Sequence, residues 1–168
     1  MHLHDALPIQ FVYQLEHFDR HGLLLERSEH KNLVPTEGLN YMLNASFRGG
    51  AAPSAWYVGL FEGDYTPVAT VTAATLPSAA TETTTYSSAT RVAWTIVDAT
   101  AGSLTNAASR AEFTSTATRT LYGGFISSAS GKGSTGGVLA SVVRFASPQV
   151  FTTGNVLRIT AGIILASV

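Results

Sequence analysis

At 168 residues, with a formal charge of −1, 12% charged residues and no cysteine, the chain has room for one domain, or one domain with an appended arm. A chain of this size buries roughly 70% of its unfolded surface, so a core forms without metals or cross-links. The missing cysteine excludes disulfides, a thiolate nucleophile and cysteine-based metal sites, and ten scattered Lys and Arg give no basic stripe for nucleic acid.

The start, MHLHDALPIQ, lacks the basic region and apolar run of a secretory signal. The C-terminal apolar stretches fall short of the ~20 residues that a membrane helix needs. Low charge with abundant Ala, Ser, Thr and Gly suits a chain packed against neighbours, since an isolated monomer usually carries more surface charge. A compact Thr-rich β domain fits the composition equally well. All five histidines (His2, His4, His17, His21, His30) and eight of the 21 charged residues lie in the first 32 positions. This break divides a polar arm and hairpin, residues 1–32, from a β-sandwich domain, residues 33–168.

Phe11, Tyr13, Leu15 and His17 alternate with Val12, Gln14, Glu16 and Phe18, an imperfect strand period. Asp19-Arg20-His21-Gly22 supplies turn chemistry, and Leu23 to Lys31 returns as the second strand. The helix candidate is 37–48: Thr36 caps it, Glu37 sits in the positive first turn, and Gly49-Gly50 stops it. Leu39, Met42, Leu43 and Phe47 share one face, predicted to cover an end or edge of a sheet. A helix this short must pack on something. WYVGLF (56–61) is an aromatic and β-branched strand. Residues 65–90 form a Thr/Ala/Ser segment broken at Pro67 and Pro77. Arg91–Val97, Ala111–Thr118, Leu121–Ser127, Val138–Phe145 and Val156–Leu165 follow as strands between Gly, Pro or Asn turns, a spacing that predicts an all-β antiparallel sandwich or barrel rather than alternating βα units.

Gly131, Gly133 and Gly136 match G-x-G-x-x-G, but that motif needs a strand before it and a helix after it. Here VLASVVRF follows, so a hairpin loop explains the glycines, and Lys132 and Ser134 lack the order of a P-loop. His17 and His21 are spaced like zinc ligands on a helix, yet Asp19, Arg20 and Gly22 mark a turn, so the histidines read as exposed on a hairpin with no metal bound. No serine sits in a G-x-S-x-G elbow. Glu62 and Asp64 flank a turn glycine, and the sequon at Asn44 falls inside the helix. Trp56, Tyr57, Trp94, Tyr122 and Phe125 read as sandwich core rather than as a stacking platform for sugars or bases. No catalytic, cofactor-binding or metal residue is assigned, and no enzymatic activity is expected.

NLVPTEGLNYMLNASFRGG (32–50), WYVGLF (56–61), YSSATRVAWT (86–95), GGFISS (123–128) and GNVLRITAGI (154–163) together resemble a group of small tailed-bacteriophage virion proteins encoded near the major capsid protein. Members begin with a short hairpin, continue through an N-L-V…G-x-N segment and end in a β domain. The resemblance runs from about Phe11 through nearly the whole chain. It implies a head decoration or cement protein on the outer surface of the phage head, with a jelly-roll-like sandwich. The implied partners are the major capsid protein and copies of itself, as a dimer or trimer, without nucleic acid, membrane or cofactor. Residues 1–10 depart from a packed domain start and read as an extra docking arm or a disordered tail. The alternative is a tail, baseplate or fibre-attachment protein with receptor- or glycan-binding loops. A third reading, a hydrolase of host polysaccharide, needs paired carboxylates across a cleft, and the body offers few acids.

Overall fold

Alternation in the first strand sets the architecture. In the computed structural model, which describes residues 9–165, Phe11, Tyr13 and Leu15 of β1 (Gln10–Phe18) are buried inward, while Gln14 on the other face is exposed. β1 pairs with β2 (Leu24–Lys31) through the turn predicted at Asp19–Gly22, where Gly22 takes φ +85° and the Asp19 carboxylate accepts from the His21 and Leu23 amides. On its other side β1 pairs along its whole length with β9 (Val156–Ile164). β5 (Ser103–Thr105) and β6 (Ala111–Thr114) both pair with the far side of β9, completing an antiparallel five-stranded sheet. The hairpin is therefore not an arm appended to a body: β1 is an interior strand, because its apolar alternation matches the core. Residues 1–8 of the candidate arm, with His2 and His4, lie outside the described residues.

The second sheet is β4 (Val92–Ala93), β3 (Tyr57–Phe61), β7 (Arg119–Ser127) and β8 (Leu139–Phe151), again antiparallel. Val58, Leu60, Leu121, Ile126 and Val143 of this sheet share one core with Phe11, Tyr13, Leu15, Phe113, Leu157 and Ile159 of the first. Each such side chain contributes about 1.5–3 kcal/mol on full burial. Two antiparallel sheets around a common apolar core confirm the all-β, sandwich-like expectation.

The four-stranded sheet is covered on its outer face too. Phe61, Phe125, Leu139 and Val142 pack there against Val71, Ala73, Leu76 and Ala80. The covering segment lies in the region read only as broken Thr/Ala/Ser chain, and Pro77 sits in the first turn of a short helix, α2 (Leu76–Ala79). Two glycines make room for this layer. Gly59 is the cross-strand neighbour of Phe125, and Gly123 that of Phe61. A Cβ on either would fall 2.2 Å from the facing ring. Glycine in a strand interior here marks a close approach that a side chain would block.

Several boundaries differ from expectation. Of Arg91–Val97 only Val92–Ala93 is strand, because Arg91 turns inward. β6 stops at Thr114, beyond which Ser115 bridges Tyr86. β8 runs past Phe145 to Phe151 by way of a bulge: between the pairs Gly123–Arg144 and Leu121–Gln149, β8 has the extra residues, among them Pro148. A bulge is where a strand tolerates proline.

The helix α1 (Thr36–Phe47) forms where predicted but presents a different face. Pro35, not Thr36, is its N-cap, and the Thr36 amide donates to the Ala69 carbonyl (2.9 Å). Glu37 works as a staple, one carboxylate oxygen accepting from the amides of Ala73 and Leu139 (both 2.8 Å). Gly38 is buried against β8, where a Cβ would sit 2.7 Å from the Ala140 carbonyl oxygen and 2.8 Å from that of Leu139. Half-buried Tyr41, Met42 and Ala45 continue that face. Leu43 is consequently 57% exposed and Phe47 83% exposed, and Leu39 also faces solvent. The apolar stripe Leu39-Leu43-Phe47 is thus an outer surface. Backbone-to-backbone approach at Gly38 fixes the helix rotation and turns those side chains away.

Gly38→Ala should cost about 1–3 kcal/mol, since the methyl meets backbone that cannot yield cheaply. Leu43→Ala should change stability by less than about 0.5 kcal/mol, as for an exposed site. Urea unfolding of the two variants checks both, and the reverse order would refute this helix orientation.

Candidate functional site

The glycine-rich stretch forms a loop between β7 and β8, spanning 128–138, and its chemistry is internal. The side chains of Arg91 and Glu82 are 1% and 2% exposed and pair bidentately, Nε to Oε1 at 2.8 Å and Nη2 to Oε2 at 2.7 Å. Arg91 also donates to the carbonyls of Ala129 and Ser134 (both 3.0 Å), its backbone amide donates to Ser130 (2.8 Å), and its guanidinium lies over the Phe125 ring. Glu82 Oε2 accepts from the Gly133 amide (2.9 Å). Lys132 donates to the carbonyls of Thr84 and Tyr86 (3.0 and 2.9 Å) and stands 3.7 Å from the Tyr86 ring centroid. Thr81, just before Glu82, holds φ +54°, a conformation unusual for a β-branched residue. Its carbonyl accepts from Glu62. The Lys132 ammonium and the Gly133 amide, groups that a phosphate would recruit, are committed within the fold. The loop is a clamp on the 82–91 segment, as a hairpin loop reading allows and a nucleotide cradle does not.

The structure separates the histidines and corrects their expected exposure. His21 is exposed at the hairpin end, where Arg20 donates to its Nε2 (3.1 Å). His17 is buried: Asn155 Nδ2 donates to its Nε2 (3.0 Å), which leaves Nδ1–H to donate to Gln149 (3.2 Å). Gln149 continues to Glu26 (3.0 Å). His30 is also buried, its Nδ1 accepting from the Ala146 amide (3.2 Å) and its Nε2 bonded to Ser28 Oγ (2.9 Å). These bonds tie the inward faces of β1 and β2 to β8 and to the turn that follows it. Alternation in β1 carries His17 inward with Tyr13 and Leu15, so the signal was in the sequence. The polar partners on β8 and in the turn after it, 116 to 138 residues away, were not.

The aromatic candidates take mostly core positions. Trp94 is buried beside Phe11 and donates Nε1–H to the Ala161 carbonyl (3.1 Å). Phe125 lies under Arg91. Tyr57 and Tyr122 are half-buried. Trp56 stacks edge-on with Tyr41 and borders a small apolar cleft of about 150 Å³ between α1 and the sandwich. Glu62 and Asp64 face Arg119 (3.2 Å) and Arg144 (2.5 Å) and do not form a pair across a cleft. Asn44 lies exposed on α1.

Among the described residues, two surface features bear on function. The outer face of the five-stranded sheet holds a polar depression of about 440 Å³ bounded by Gln14, Glu16, Arg27, Glu29, Arg110 and Thr160. Glu16 anchors it, taking Arg27 on one oxygen and Arg110 on the other (2.6 Å). The second feature is apolar: Leu39, Leu43 and Phe47 on α1, and Leu23, Leu24 and Leu25 at the hairpin end. Contiguous exposed apolar patches are where proteins commonly meet partners, whereas apolar side chains exposed singly are ordinary. Composition alone gave no pointer to which residues these would be. Comparisons with protein-family models, with curated proteins and with solved structures found no match to this chain.

Arg91→Met leaves the Glu82 carboxylate buried without its partner and should cost about 3–5 kcal/mol. Faster tryptic cleavage after Lys132, alongside a lower urea midpoint, checks that the loop is released with it. Burial pulls the His30 pKa below its ordinary 6.5, partly opposed by Glu26 and Glu29. Unfolded chains therefore take up this proton at higher pH than folded ones. The stabilising contribution is complete above the unfolded value and is lost as pH falls through the folded one. Melting temperature should drop on acidification from about pH 7 to about pH 5, and less steeply in His30→Asn. Equal slopes would show that His30 is not the titrating group.

Proposed function

We propose that this chain is a structural protein of a tailed-bacteriophage virion, a decoration or cement protein that binds the major capsid protein on the outside of the head and has no catalytic role. One observation carries the reading. The segment NLVPTEGLNYMLNASFRGG, which bears the family resemblance, forms α1 and its flanks, and its Leu43 and Phe47 are 57% and 83% exposed. Large apolar side chains held out on a helix gain free energy when a neighbour covers them. The segment carries only two charged residues, Glu37 and Arg48. A cement protein repeats such a contact over many copies and needs only modest affinity at each.

A tail or baseplate component that binds a receptor or glycan is the second reading. It is favoured by the polar depression beside Gln14, whose two acids, Glu16 and Glu29, and two bases, Arg27 and Arg110, form an open hydrogen-bonding surface. Copy number in purified particles divides the readings: hundreds of copies mean head, a dozen or fewer mean tail.

The double variant Leu43→Glu, Phe47→Glu should keep the wild-type melting temperature within a few degrees and lose rebinding to capsids stripped of the protein. Undiminished rebinding would remove α1 from the attachment surface, and failure of the wild type to bind capsids would overturn the head reading.

A further inference from the structure

We propose that two copies of this chain pair through the free edge of β2, antiparallel about a two-fold axis at Ser28, joining their five-stranded sheets into one. The inference rests on β2 itself and is independent of the virion reading.

β2 ends the strand order of its sheet and contains neither proline nor glycine. Among the described residues, the backbone groups of Leu24–Lys31 that point away from β1 have no hydrogen-bond partner. Such an edge is a template for another strand, and proteins usually spoil it with proline, a bulge or charge. β2 does carry charge, in the order Glu26, Arg27, Glu29, Lys31. Whether those charges block pairing depends on register.

A two-fold axis normal to the sheet keeps outer faces together, so the dyad must fall on a residue rather than between residues. With the dyad at Ser28, Arg27 lies opposite the partner's Glu29, and the same pair recurs on the other side of the axis. The smallest slips that keep the faces matched move the dyad to Arg27 or to Glu29. Each opposes identical charges at the axis. Opposed unlike charges stabilise a cross-strand pair, and like charges destabilise it. One register is therefore selected, and the strand's charge order, which would repel a random partner, fits a copy of itself.

The side chains are already placed for this contact. Arg27 and Glu29 stand on the outer face beside Glu16 and Gln14, as the β1–β2 register requires. The Arg27 side chain is 68% exposed and spends one guanidinium nitrogen on Glu16, leaving its other nitrogens open. Glu29 accepts from Gln14 through one oxygen (3.3 Å) and keeps the other free. Pairing would extend the Arg110–Glu16–Arg27 chain across the axis to the partner's Glu29. Leu25, 52% exposed, would lie along the aliphatic stem of the partner's Lys31.

The test is charge exchange in the full chain, read by sedimentation at tens of micromolar. Wild type should be a dimer. Glu29→Arg gives a chain with two arginines at the contact and should be monomeric. Arg27→Glu gives two glutamates and should be monomeric too. An equimolar mixture of the two restores every opposite pair and should sediment as a heterodimer. Glu29→Arg leaves the Arg27–Glu16 contact intact, so an unchanged melt in that variant separates pairing from folding. The chain has no cysteine, so Ser28→Cys supplies a single thiol at the axis and should cross-link on oxidation. Leu25→Cys, about 20 Å from its symmetry mate at ~3.4 Å per residue, should not. A monomeric wild type, dimers surviving either charge reversal, or a mixture that stays monomeric would overturn the proposal. If Arg27→Glu does not fold, Glu29→Arg and the two cysteine variants decide alone.

Discussion

The buried pair between Glu82 and Arg91 is the interaction around which the outer half of the molecule is organised. Taking two charges out of water costs several kcal/mol each, and their attraction offsets this only with good geometry and further hydrogen bonds. Both conditions are met here. The contact is bidentate, Arg91 has two more carbonyl acceptors, and Glu82 accepts an additional amide. The pair thereby ties three chain segments together: the covering layer that ends at Thr81, the approach to β4, and the loop between β7 and β8. Besides this pair, the layer over Phe61 and Phe125 is held by the apolar contacts of Val71, Ala73, Leu76 and Ala80, by the Glu37 carboxylate at the Ala73 amide, and by backbone bonds such as Glu62 to Thr81.

That arrangement explains an apparent inversion. A chain with little charge places part of it inside, in Arg91 and Glu82 and in the nearly buried Glu16, while leucines and a phenylalanine stay outside. The interior charges fix which loop meets which strand, a geometric task that directional bonds do and apolar contacts do not. The outer apolar groups have no such task within the chain. Within the chain their burial free energy goes unused.

Much of the fold was legible in the sequence because it is written in local periods. Phe11, Tyr13 and Leu15 recur every second residue, and Asp19 and Gly22 have the chemistry of a turn. β3, β7 and β9 also fall where alternation or β-branched runs put them. Much less of the candidate surface was legible. The 3.6-residue period correctly gave a helix near 37–48, but the same period cannot say which stripe is inward when a glycine such as Gly38 can dock more closely than any leucine. The histidines show a similar limit: a polar residue in a strand looks exposed until a distant partner satisfies it.

Sequence by itself determined the fold class, the hairpin turn, the place of the helix and the absence of thiol chemistry, since each depends on a residue and its near neighbours. Only the tertiary structure decided that β1 is an interior strand, that Arg91 leaves its strand to meet Glu82, that β8 bulges past Pro148, and that Leu43 and Phe47 face outward. The physical reason is common to all four. Each outcome is set by how closely two separated backbones approach and by which buried polar groups then find partners. Those are properties of pairs of segments, and no local pattern records them.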